Sequence, residues 1–115
     1  VLLSDREQVI ENVIEKCKKV LFAKGKDYSG EEDSLSNFKR NGDRIGLTKY
    51  QVWSCYANKH IDSINNSIKL NPIFPQVESE PLESRIIDVV NYMLILAALL
   101  EEDKQAQLVK DQIKV

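Results

Sequence analysis

The stretch Glu83–Asp103, ESRIIDVVNYMLILAALLEED, decides the fold. It follows Pro81, a residue suited to the first turn of a helix, and predicts a helix from Leu82 to about Glu102. Its apolar residues occupy almost every face, so the helix must be central, covered by neighbouring helices or by a second subunit. Its most apolar run, Val89–Leu100, is too short to cross a bilayer and is interrupted by Asn91. Asp88 and Asn91 stand three apart and share a face. Polar groups inside an apolar helix need partners, since an unpaired one costs roughly 1–3 kcal/mol. Those partners are a metal, a ligand, or polar groups of other elements. An internal hydrogen-bond network that fixes helix register answers the same need.

Two further segments carry a one-faced helical period. Val9, Ile10, Val13, Ile14, Cys17, Val20 and Leu21 predict a helix from about Asp5 to Lys24, with Ser4 and Glu7 as its capping box and Gly25 as its left-handed stop. Thr48 caps a second helix that carries Val52, Trp53, Tyr56, Ala57, His60, Ile61, Ile64 and Ile68 on one face and ends near Leu70, before NPIFP. The tail QAQLVKDQIKV predicts a short fourth helix through Leu108, Val109 and Ile113. Strand-type alternation is absent. The expectation is an all-α bundle of three long helices and a short C-terminal one, forming a single domain over residues 1–115 that oligomerisation completes.

With a formal net charge of -2 and lysines interspersed with carboxylates from end to end, the chain lacks the basic field that nucleic-acid binding needs. No signal-peptide pattern opens it, so the expected location is the cytosol, without membrane attachment. Cys17 and Cys55 each fall within a helical apolar pattern and read as reduced core residues.

Between the first two long helices, KGKDYSGEEDSLSNFKR (Lys24–Arg40) reads as a long loop. Lys24, Lys26, Lys39 and Arg40 are candidate phosphate donors, Tyr28 and Phe38 candidate stacking faces, and Asn37 a reader of polar edges. Glu31, Glu32 and Asp33 would repel a phosphate unless they point away or hold a divalent cation. On the second long helix, Lys59, Asp62 and Asn66 form a polar stripe, with His60 at the border of the apolar face. A solvated face accounts for Lys59 and Asp62, and a satisfied core histidine accounts for His60.

The order of KGKDY, SNFKR, VWSCYANKHIDSI and ESRIIDVVNYMLIL, spread over Val9–Leu100, resembles the small MazG-like proteins. Many of these are phage-encoded. They belong to the all-α nucleoside triphosphate pyrophosphatase class, which includes the nucleotide modification associated group. The resemblance implies a helical bundle that forms a dimer or tetramer, in the host cytoplasm if phage-encoded, and binds a nucleotide between helices. Active members hold Mg2+ with carboxylates from two helices and direct water between the α and β phosphorus atoms.

By position, Asp88 matches the carboxylate of the family's third-helix motif, and Asn91 and Tyr92 its Asn-Tyr end. Lys24, Asp27, Tyr28, Asn37 and Phe38 match its loop motif. The family's Glu-x-x-Glu pair is missing: Asp62 is the acidic residue of the second long helix, and Arg85 stands three before Asp88, leaving Glu83 or Glu80 as a displaced second carboxylate.

Three readings follow. In the first, a Mg2+-dependent hydrolase converts a nucleoside triphosphate to monophosphate and pyrophosphate. Asp88 and Glu83 are its catalytic pair, Asp88, Glu83 and Asp62 its metal ligands, and Lys24, Lys26 or Lys59 neutralise phosphate charge. In the second, the same cleft binds a nucleotide-derived molecule without cutting it, for instance to sequester a host immune signal during phage infection. In the third, the protein is a structural helical oligomer.

Overall fold

The computed structural model describes residues 2–29, 35–76 and 81–113, with residues 25–29 described by their backbone alone. Among these residues all regular structure is helical: α1 (Leu3–Ser29), α2 (Ser36–Ile45), α3 (Lys49–Leu70) and α4 (Leu82–Ile113). The all-α expectation holds, with three long helices, but the short helix lies between the first two rather than at the C-terminus.

Each misplaced boundary has a local reason. Gly25 does not stop α1, which runs on to Ser29. A helical glycine costs only about 1 kcal/mol relative to alanine, and no proline follows to force an end. Ser4 and Glu7 form no capping box, because the helix already begins at Leu3. The segment read as one loop is therefore the end of α1, the undescribed residues 30–34, and α2. The tail forms no separate helix either: α4 continues for 32 residues, because nothing from Leu82 to Ile113 is glycine or proline.

The α2–α3 corner is fixed by backbone chemistry. Gly46 closes α2 in the left-handed region at φ 73°, and its N–H, like that of Leu47, donates to the Gly42 carbonyl. A Cβ on Gly42 would lie 2.5 Å from the Leu47 carbonyl oxygen, so the turn requires glycine there. Thr48 then caps α3 as expected, in a full capping box: its hydroxyl accepts from the Gln51 N–H and the Gln51 side chain accepts from the Thr48 N–H.

α3 and α4 run antiparallel and form the main seam, with α2 against α3 and α1 against α4. Among the described residues the buried apolar side chains are Cys17, Phe38, Val52, Ala57 and Leu99, and Leu99 is fully enclosed. Cys55 is exposed, which corrects the expectation that both cysteines are core residues. The molecule is elongated, 58 × 36 × 24 Å, with a radius of gyration of 17.5 Å. A compact chain of this length would have about 13 Å. No described helix is long and apolar enough to cross a membrane.

Candidate functional site

Halfway along the α3–α4 seam, polar groups replace apolar packing. Asp88, largely buried on α4, has one carboxylate oxygen 3.7 Å from Lys24 Nζ of α1 and the other 3.5 Å from His60 Nδ1 of α3. The His60 ring stacks at a 30° tilt on Tyr92, one turn along α4, with centroids 5.2 Å apart. Phe38 of α2 meets the Tyr92 ring edge-on at 6.5 Å and the Tyr56 ring at 6.2 Å. Three helices thus converge on Asp88, and the fourth closes the aromatic side.

The hydrogen bonding of this cluster is incomplete. Asn91 is 94 % buried by its 6 % relative exposure, and neither its amide nitrogen nor its amide oxygen has a partner. His60 Nδ1 is also buried without a hydrogen bond, since 3.5 Å to Asp88 is a long approach rather than a bond. An amide left this way inside a helix pair lacks about 1–3 kcal/mol of compensation. A buried polar group of this kind calls for a partner from outside the helix pair, such as an ordered water, an ion or a ligand.

The sequence-predicted residues divide accordingly. Lys24, Phe38, His60, Asp88 and Tyr92 come together, and Asn91 is buried on α4 between Asp88 and Tyr92. Asn37 lies beside them on α2, accepting from Asn41, whose amide nitrogen also lies 3.5 Å from the Tyr56 hydroxyl. The side chains of Lys26, Asp27 and Tyr28 lie outside the described residues. Lys39 is elsewhere, lining a hollow of about 360 Å³ with Asp43, Leu47, Thr48, Lys49, Glu102, Asp103 and Ala106. Lys59 and Asp62 are exposed on α3, in keeping with a solvated face.

Glu83, expected beside Asp88, instead bonds Lys16 of α1 at 2.6 Å. Five residues separate it from Asp88, which turns it toward a different side of α4. Asp62 does not join them, and Glu80 lies outside the described residues. Among the described residues no three or more His, Cys, Asp or Glu side chains are placed to hold a metal ion. The carboxylate that is well placed, Asp88, already faces two nitrogen groups. Among the described residues Asp88 is the carboxylate of this cluster, and the side chains of Asp27, Glu31, Glu32, Asp33 and Glu80 lie outside them.

Two contributors were not read as site residues in the sequence. Trp53 Nε1–H donates to the Tyr92 carbonyl at 2.6 Å, which fixes α4 against α3 next to the aromatic stack. Asn41 ties α2 to Tyr56. The signal for Asn41 was its four-residue spacing from Asn37, recognisable only once that segment is known to be helical.

Further along the seam lies a second polar cluster. Lys49 Nζ lies 2.5 Å from Asp103 and 3.6 Å from Glu102, and the Tyr50 hydroxyl donates to Asp103. The hydrogen bonds from Lys49 and Tyr50 hold the Asp103 carboxyl below its ordinary range. The same contact with Asp103 pushes the Lys49 ammonium and the Tyr50 phenol up. At Cys17, burial pushes the thiol up, as suits an inert core residue.

Compared with family models, with curated proteins and with solved structures, the chain matches none.

Proposed function

We propose that this chain binds a nucleotide or nucleotide-derived molecule in the α3–α4 seam around Asp88, as a homo-oligomeric binding protein that sequesters its ligand rather than hydrolysing it. The observation that carries the reading is Asn91: a buried amide with an empty donor and an empty acceptor, one turn along α4 from Asp88. A base presents such complementary donor and acceptor edges, and the Asn91 amide pairs with both at once. Tyr92 and His60 supply flat faces, Lys24 supplies a cation for phosphate, and Asp88 orients both Lys24 and His60. The order of motifs that resembles the MazG-like proteins supports nucleotide as the ligand class, by analogy.

The hydrolytic alternative rests on Asp88 and on the same resemblance. Of its other carboxylates, Glu83 bonds Lys16 and Asp62 is exposed on α3, while Glu80 lies outside the described residues.

The test incubates the purified protein with a panel of linear and cyclic nucleotides, with and without magnesium, and resolves free, bound and heat-released species by chromatography. The expected result is one nucleotide depleted from solution and recovered intact on denaturation, with binding weakened at least tenfold in Asn91→Leu. Monophosphate and pyrophosphate in the wild-type reaction, lost in Asp88→Asn, would establish the hydrolase instead. No depletion across the panel would remove the nucleotide reading and leave a structural oligomer.

A further inference from the structure

The two longest helices both extend beyond the neighbours that cover them, at opposite ends of the molecule. Lys16 pairs with Glu83 and Lys24 with Asp88, so α1 runs parallel to α4, and α1 residues before Lys16 lie beyond the start of α4. That overhang, Leu3–Ile14, is about 18 Å of helix. Lys49, at the start of α3, pairs with Asp103, so Lys104–Ile113 of α4 extends about 15 Å past α3.

Each overhang continues a core stripe into solvent. On α1, Cys17 is buried against its surroundings, while Ile14, Ile10 and Leu3, on the same face at helical spacing, are 45 %, 51 % and 61 % exposed. On α4, the face that buries Asn91 and Leu99 continues as Val109 and Ile113, 53 % and 78 % exposed. Their charges are opposite. Leu3–Ile14 carries Asp5, Glu7 and Glu11 against Arg6, and Lys104–Ile113 carries Lys104 and Lys110 against Asp111.

We infer that each overhang is covered by the other overhang of a second copy, in a two-fold symmetric pair. A two-fold axis perpendicular to the long axis exchanges the ends of the rod. It therefore sets the α1 overhang of one copy antiparallel against the α4 overhang of the other, twice, which closes the assembly. The two overhangs have nearly equal lengths, as this exchange needs. In the resulting register Leu3 lies opposite the partner's Ile113, and Glu7 lies beside the partner's Lys110 on the same flank of the paired stripes. This specifies how the oligomer forms, and it stands whatever the Asp88 cluster binds.

The test has two arms. Light scattering on the wild-type chain should give a mass at least twice the 13.2 kDa of one copy, falling to 13.2 kDa in Ile10→Asp/Ile14→Asp with its helical circular dichroism retained. In the second arm Cys55→Ser removes the exposed thiol, and Glu7→Cys with Lys110→Cys are combined in one chain. These positions sit at opposite ends of the molecule, so a disulfide between them joins two copies. Oxidation should convert the protein to a covalent dimer, while either new cysteine alone should not. A monomeric wild type, or an assembly that yields no cross-link between these positions, would overturn the inference.

Discussion

The α3–α4 seam holds two polar clusters that differ in how completely they are bonded. Around Asp103, the acceptor meets Lys49 and Tyr50, and the pKa directions of all three groups report mutual stabilisation. Around Asp88, ion-pair approaches are long and two side chains bury polar atoms with nothing to meet them. The same two helices build both. The first cluster is therefore explained by folding alone, since it ties the N-terminus of α3 to α4. The second leaves buried polar atoms without a protein partner, and that is the observation behind the proposed ligand site.

Three variants probe this contrast, beginning with the largest effect. Leu99, fully enclosed between the two clusters, supports both, and Leu99→Ala should remove roughly 2–5 kcal/mol in urea unfolding, the range for a buried leucine. A loss below about 1 kcal/mol would mean the seam is looser than its burial shows.

Asn91→Leu separates the clusters. Replacing an unpaired buried amide by an apolar side chain of similar volume should raise stability by about 1 kcal/mol in ligand-free protein, while weakening binding. A destabilised Asn91→Leu would show that the amide has a partner in solution, and would make the two clusters alike.

The smallest effect is on pH dependence at Asp103. Its folded pKa is depressed, so its contribution is fully present above the ordinary carboxylate range and is lost as pH falls through the lower folded value. Lys49 and Tyr50 are raised, so theirs is fully present below their ordinary values and is lost as pH rises through the folded ones. In an acid titration of stability, Asp103→Asn should flatten the limb below the ordinary carboxylate range by a small amount, because the group is half-exposed. An acid limb identical to wild type would mean that the close Lys49–Asp103 contact is not maintained in solution.

Helix identity was readable wherever a single face repeats over many residues. α3 was found almost to the residue because Thr48 and Gln51 mark its start and NPIFP marks its end. α2 was missed because its period rests on Phe38, Gly42 and Ile45 alone, among polar residues that also suit a loop. At the site, Asp88, Asn91, Tyr92 and His60 were legible as polar interruptions of apolar stripes. The partner of Asp88 was not: Glu83 was the nearest carboxylate in sequence, yet helical rotation delivers it to Lys16.

What the sequence determined by itself is local: an all-α chain, the faces its long helices bury, and the polar residues those faces carry. Helical periodicity and capping are set by neighbours within a turn or two, so the pattern states them directly. Only the tertiary structure decided the register between helices. Register places Lys24 and His60 at Asp88, leaves Asn91 unmatched, satisfies Asp103, and slides α1 and α4 past their neighbours to bare the two overhangs. It depends on how side chains from distant segments interlock along a seam, and a one-dimensional period fixes which face is buried without fixing how far one helix is shifted along another.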